Sequence, residues 1–190
     1  MNKKTPLKLH LGCFLKKIHG FVNVDVREDV FPDVVDNCFS LTKFENDSVN
    51  LIYTCHTLEH LNYKDSITAL KRWYDLLEPG GTLRIAVPDI EAVMEYYLHN
   101  KDLDTLKSFL WGSQKHEYDF HYNGWDEKTM FKALTEAGFK NAKRYDWRDT
   151  EHFFVDDYSM SALPKIAYKS RRKNDTIEGK QMSLNVEATK

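Results

Sequence analysis

Gly12 and Asp25 are the two residues whose types and spacing point most directly to chemistry. Gly12 closes the apolar run Leu9-His10-Leu11 and opens a turn, while Asp25 closes a second run, Val22-Asn23-Val24. A glycine at a strand end lets backbone approach a ligand closely, and an acid at the next strand end can accept hydrogen bonds from ribose hydroxyls. The pairing predicts a site for a nucleoside-shaped small molecule. A dinucleotide site would need three glycines spaced G-x-G-x-x-G, a full helix, and the acid roughly 20 residues further on. No such triplet follows Leu11, and the span from Gly12 to Asp25 is too short for that unit, which disfavours NAD.

Ligands of open parallel sheets bind outside the carboxyl ends of the strands. Gly12-Cys13-Phe14, Asp25, Asp36-Asn37-Cys38-Phe39, Thr54-Cys55-His56 and Pro88-Asp89 all sit at such positions and together outline one cleft. Neutral imidazole is a suitable proton acceptor near pH 7. Among eight histidines, His56, just after a strand end, is the first candidate base and His121 the second. His60 reads instead as a structural partner of a helix around Glu59. His116, His121 and His152 accompany Trp111, Tyr118, Phe120, Tyr122, Trp125 and Trp147. Their flat faces suit a sugar ring or another planar acceptor, or else pack as a loop over the sheet. The spacing of His116, Glu117 and His121 does not match H-E-x-x-H, so no metal is expected.

Cys13, Cys38 and Cys55 have neither disulfide-framework nor zinc spacing. They read as small buried residues near strand ends, with a redox or arsenic-handling cluster as the sharper alternative. Arg171-Arg172-Lys173 reads as a solvated loop, with a phosphate contact as its alternative.

These residues need elements to hold them. Strand-like runs occur at 7–11, 22–26, 49–53 and 83–87, short and apolar enough to be buried on both faces. A helix carrying Ile67, Leu70, Tyr74 and Leu77 on one face should stop at Glu78-Pro79-Gly80-Gly81. A second should begin after Asp89 as N-cap, with Val93, Met94, Tyr97 and Leu98 along one side. A third should be capped by Asp126, carry Met130, Ala133, Leu134 and Ala137, and end in a Schellman stop at Gly138-Phe139. Two late strands, 141–147 and 182–189, suggest an antiparallel hairpin at one edge of a mostly parallel sheet covered on both faces.

At 190 residues the chain suits one domain. A net charge of −2 gives no electrostatic footprint for nucleic acid or a membrane surface. No apolar signal region follows the basic start and no membrane span is present, so a cytoplasmic location is expected.

The ordered series Leu9-His10-Leu11-Gly12-Cys13, Asn23-Val24-Asp25, Ser48 to Tyr53, Leu58-Glu59-His60-Leu61 and Leu77 to Leu83 resembles the class I S-adenosylmethionine-dependent methyltransferases, particularly the small "type 11" group. The likeness covers roughly Lys8 to Phe139. It implies a Rossmann-like α/β sandwich whose seven-stranded, mostly parallel sheet has an antiparallel last strand, in a single domain over 1–190. It further implies a variable substrate region at about 100–125 and an edge hairpin at about 141–190. The cofactor implied is S-adenosylmethionine. Gly12 and Cys13 would lie beside its methionine moiety, Asp25 on the ribose hydroxyls, Asn37, Cys38 and Phe39 by the adenine, and the backbone of Thr54, Cys55 and His56 along the methyl donor. The activity implied is methyl transfer to a small acceptor, with a sugar or surface-polysaccharide precursor hydroxyl as the leading expectation and no nucleic-acid or membrane partner. The oligomeric state stays open. Phe14 stands where that family usually has a second glycine, which keeps a degenerate, non-catalytic binding domain as the alternative.

Overall fold

The computed structural model describes residues 6–163 and 179–190. The basic triplet Arg171-Arg172-Lys173 lies outside them. Five strands run parallel: β1 (Lys8–Leu11), β2 (Val22–Asp25), β3 (Val34–Val35), β4 (Val49–Cys55) and β5 (Leu77–Pro88). Between them and after them come α1 (Tyr63–Leu76), α2 (Ile90–Asn100), α3 (Lys107–Trp111), α4 (Glu127–Ala137) and β6 (Lys140–Arg144). A small pair, β7 (Ala162–Leu163) with β8 (Lys180–Gln181), precedes β9 (Ser183–Thr189). The main sheet has seven strands in the order β3-β2-β1-β4-β5-β9-β6, and β9 is antiparallel to both neighbours. The late strands pair as the sequence predicts, with β6 at the edge and β9 inside the sheet. The order reverses between β1 and β4, so the ligand crevice falls at their carboxyl ends.

Register lines the apolar residues up in rows. Leu9 pairs with Ile52, Ile52 with Leu83, and Leu83 with Ala188; Ile85 pairs with Val186 and Val87 with Leu184. All face α1 and α4, whose Leu70, Trp73, Leu76, Met130, Ala133, Leu134 and Ala137 complete the core. Each leucine, isoleucine, valine or methionine among them contributes about 1.5–3 kcal/mol by leaving water. In α4 the predicted stripe is the buried one. Asp126 and Thr129 form a capping box, and Gly138 (φ 106) and Phe139 bond back to Thr135 and Leu134 as a Schellman stop.

Three expectations need correction. The α1 stripe is Ser66, Ala69, Leu70, Trp73 and Leu76, whereas Ile67 and Tyr74 are half-buried and Leu77 already belongs to β5. The helix ends ahead of Pro79-Gly80-Gly81 as expected, and those residues, with Gly80 at φ 82, form the bulge between the Val49–Leu77 and Leu51–Thr82 pairs. Asp89 does cap α2, accepting from Glu91 and Ala92, yet Met94 and Leu98 on its apolar side are exposed. Only Ala92 and Val93 of that helix are buried, against Leu106, Phe109, Leu163 and Met182.

The third correction concerns the other sheet face, which is mixed: Leu51 and Tyr53 pack with Ile18 and Phe21, and a row of polar groups runs beside them. Lys8 and His10 of β1, Asn23 of β2, Tyr53 of β4, Arg84 of β5, and Asn185 and Glu187 of β9 line it. The β1–β2 connection, Gly12 to Phe21, has no helix, and β2–β3 has only the 3-10 turn Glu28–Val30. Helical crossovers are thus missing from this side. Residues 147–160, with short 3-10 turns at Trp147–Asp149 and Tyr158–Met160, cover it instead. A polar face needs a polar cover. Tyr53 donates to Asp157 (2.6 Å) and Asn185 to the Ser159 carbonyl (2.8 Å). Arg84 bridges Glu151 and Glu187, while His10 bonds Asn23 (3.1 Å).

Candidate active site

The turn after β1 is built on two left-handed residues, Gly12 (φ 65) and Phe14 (φ 43). The Gly12 amide donates to the Val24 carbonyl (2.9 Å) and lies 3.1 Å from the Cys38 sulfur. Any Cβ on Gly12 would run into the Thr57 hydroxyl and come within 2.9 Å of its methyl group. Only glycine fits there. The Phe14 amide donates to Asp25 Oδ2 (2.8 Å) and the Arg27 amide to Asp25 Oδ1 (3.0 Å). Asp25 thus pins the turn while buried at the mouth of β2. Each of its oxygens has accepted one hydrogen bond and keeps capacity for another. Phe14 occupies the glycine-like backbone position with its ring half-exposed, and the Arg27 guanidinium lies 5.4 Å from the ring centroid.

Gly12, Cys13, Asp25 and Cys38 therefore come together at the ends of β1 and β2. Burial, with Asp25 nearby, pushes the Cys13 thiol up to about 12, and the same causes push Cys38 to about 12. Both are inert packing residues. Asn37 is exposed and accepts from the Phe39 amide (2.9 Å), while Phe39 packs against the core. The Thr54 side chain is wholly buried and turned into the core, with its hydroxyl unpartnered among the described residues. Its backbone, with those of Cys55 and His56, forms the floor between β1 and β5.

His56 is held in left-handed backbone (φ 50), an uncommon state that active sites often retain. Its Nε2 lies 3.3 Å from the Ser183 hydroxyl, its ring 5.3 Å from that of Tyr158, and its Nδ1 3.5 Å from Glu59 Oε1. His121 reaches the same carboxylate, with Nε2 3.8 Å from Glu59 Oε1. The two predicted histidines thus share Glu59, which the sequence reading placed in a helix beside His60. Glu59 and His60 instead lie in the 3-10 turn Leu58–His60. Burial lifts the Glu59 carboxyl to about 8. Burial, reinforced by neighbouring histidines, lowers His56 to about 3; burial and His60 lower His121 to about 4. No local pattern marks Glu59, because the two histidines that define it reach it from different segments.

The loop 112–122 folds back on itself and reaches over the cleft. The His121 amide donates to the Trp111 carbonyl, and the Tyr122 amide to the Glu59 carbonyl (2.9 Å). His116 Nε2 lies 3.2 Å from Arg27. Trp111, Tyr118 and Tyr122 are exposed around it, whereas Trp125 and Trp147 are core residues. His152 belongs to the polar face, with its ring 4.0 Å from that of Tyr53. Those three residues leave the acceptor region predicted from sequence.

A family model for a methyltransferase domain matches residues 15–144. The chain belongs to this methyltransferase family. Solved structures agree on the fold. A SAM-dependent methyltransferase from Archaeoglobus fulgidus is 16% identical with TM-score 0.59, over 97% of this chain and 86% of that one. One from Thermotoga maritima is 14% identical with TM-score 0.59, over 100% and 84%. One from Mesorhizobium loti is 16% identical with TM-score 0.54, over 98% and 91%. At such identities the likeness is one of fold, and it is the class I methyltransferase sheet. No curated protein matches this methyltransferase. Among its described residues no helix is long and apolar enough to cross a membrane.

Proposed function

We propose that the protein transfers a methyl group from S-adenosylmethionine to an oxygen of a small acceptor, a sugar or surface-polysaccharide precursor being the class in view. The observation that carries the cofactor assignment is the Gly12–Asp25 pair. A left-handed turn too tight for any Cβ abuts a buried carboxylate that still has lone pairs to offer. In this reading Gly12 and Cys13 hold the methionine end, Asp25 the ribose hydroxyls, and Asn37, Cys38 and Phe39 the adenine. The backbone of Thr54, Cys55 and His56 lies along the sulfonium. The cofactor supplies an already activated methyl group. The protein's own task is alignment, worth up to about 7–11 kcal/mol, together with acceptance of the acceptor's proton.

His56 and His121 are the proposed proton acceptors. Their low affinity for protons leaves both imidazoles neutral, with a lone pair available, at neutral pH. Trp111, Tyr118 and Tyr122 offer faces for a ring-shaped acceptor.

Calorimetry with S-adenosylmethionine, S-adenosylhomocysteine and NAD tests the cofactor. Binding of the two adenosyl compounds and not NAD is expected, and folded protein that binds neither refutes the reading. In a methyl-transfer assay over a panel of sugars, His56→Gln and His121→Gln should lower turnover while leaving cofactor affinity nearly unchanged. Unaltered turnover in both would remove them as proton acceptors.

A further inference from the structure

The turn after β4 gathers lone pairs without donors. Glu59 is wholly buried, and neither carboxylate oxygen has a hydrogen-bond partner among the described residues. His60 Nδ1 lies 3.0 Å from the Phe120 carbonyl and His121 Nδ1 3.0 Å from the Phe109 carbonyl. A carbonyl only accepts, so both Nδ1 atoms carry the hydrogen and Nε2 is the atom each ring leaves for a ligand. One ligand atom from each of Glu59, His60 and His121 lies within 4.8 Å of the other two. Two half-buried imidazoles and a wholly buried carboxylate converge there, and the nearest possible donor to Glu59, His56 Nδ1, stands 3.5 Å away without forming a hydrogen bond.

Burying the two Glu59 oxygens unpaired is unfavourable. A proton on Glu59 relieves only one of them; a cation relieves both. We propose that Glu59, His60 and His121 form a binding site for a divalent transition-metal ion of the zinc class. The donor set favours that class, because two imidazoles and one carboxylate suit zinc, whereas calcium and magnesium prefer all-oxygen shells. The backbone carbonyls of Phe109 and Phe120 already do what outer-shell partners of metal-bound histidines do, fixing tautomer and ring orientation. At metal–ligand distances of about 2.0–2.2 Å, tetrahedral ligands stand about 3.4 Å apart. The 3.8 Å between His121 Nε2 and Glu59 Oε1 is close to that, and small side-chain rotations bring in His60. Loop 112–122 and the 3-10 turn are already clamped together, since the Glu59 carbonyl accepts from both Tyr122 and Asn123.

The site stands independently of the methyl-transfer reading. Its role rests on that reading: with the ion bound, His121 Nε2 is a ligand and no longer a proton acceptor, and an open coordination position beside His56 would hold the acceptor's oxygen, leaving His56 as proton acceptor. The whole chain, stripped with EDTA, is titrated with Zn²⁺ against a chromophoric chelator, and with Co²⁺ by visible absorption. A single ion per chain is expected, with a cobalt spectrum free of thiolate charge-transfer bands. Glu59→Gln and His121→Gln should each weaken zinc binding at least about tenfold, whereas His116→Gln, on the same loop but outside the cluster, should not. Absence of zinc binding by the wild-type protein, a thiolate band, or affinity unchanged in both variants overturns the site. The wild-type titration and spectrum decide even if a variant fails to fold. Cofactor calorimetry in EDTA is read separately, so failure of the methyltransferase reading is distinguishable from failure of the metal site.

Discussion

Asp25 does two jobs with one carboxylate, and the two are separable by experiment. It caps the Phe14 and Arg27 amides, and in the proposed function it receives ribose hydroxyls. Asp25→Ala should lower affinity for S-adenosylmethionine by about ten- to a hundredfold, on the order of 1.5–3 kcal/mol, as read by calorimetry. An unchanged dissociation constant would move the ribose elsewhere. Gly12 fails differently. Gly12→Ala forces a side chain into left-handed backbone against Thr57. The combined cost of about 2–3 kcal/mol should lower the melting temperature by about 5–10 °C. A melt within about 2 °C of wild type would show that the turn can open. Gly12 and Asp25 were legible from sequence because strand-end position alone determines where they point. Glu59 was not, because its importance comes from His56 and His121, which reach it from two different segments. His152 was misread for the converse reason: sequence proximity to aromatics says nothing about which sheet face a later segment covers.

Among the helices predicted from sequence, α4 was the most legible and α2 the least. Cap, stripe and stop all agree in α4, so local and tertiary preferences coincide. Asp126→Ala removes the acceptor of the Thr129 amide and half of the capping box. The expected loss is about 1 kcal/mol, or about 2–4 °C in a thermal melt. In α2 the periodicity is sound, yet the helix buries only Ala92 and Val93 and leaves Met94 and Leu98 in solvent. Periodicity reports that a face is apolar; it does not report what lies opposite. The strand β3 escaped notice because two residues carry no pattern, and β5 begins earlier than predicted because Leu77 pairs with Val49 before Pro79-Gly80-Gly81 bulges out of the ladder.

Across the whole molecule buried histidines shape the response to acid, and the polar sheet face holds one of them. His152 is buried against Tyr53 and Phe21, with Asp157, Glu151, Arg84 and His10 as its charged or titratable neighbours. Burial holds its imidazole down at about 4, below the ordinary value of 6.5. The unfolded chain therefore binds a proton at higher pH than the native one. The resulting stability is complete above pH 6.5 and is lost as pH falls through about 4. His152→Phe should flatten the fall in melting temperature across that window. Parallel curves for the variant and wild type would assign the acid sensitivity to the other histidines.

The position of β9 carries a consequence for how the chain acquires its shape. It is the last of the seven sheet strands to be synthesised, yet it lies between β5 and β6. Until residues 183–189 emerge from the ribosome, β5 and β6 have no shared partner and present unpaired edges to any other strand nearby. The sheet is therefore completed from the inside only once residues 183–189 have emerged, so a nascent chain stalled before Ser183 should be a target for chaperones.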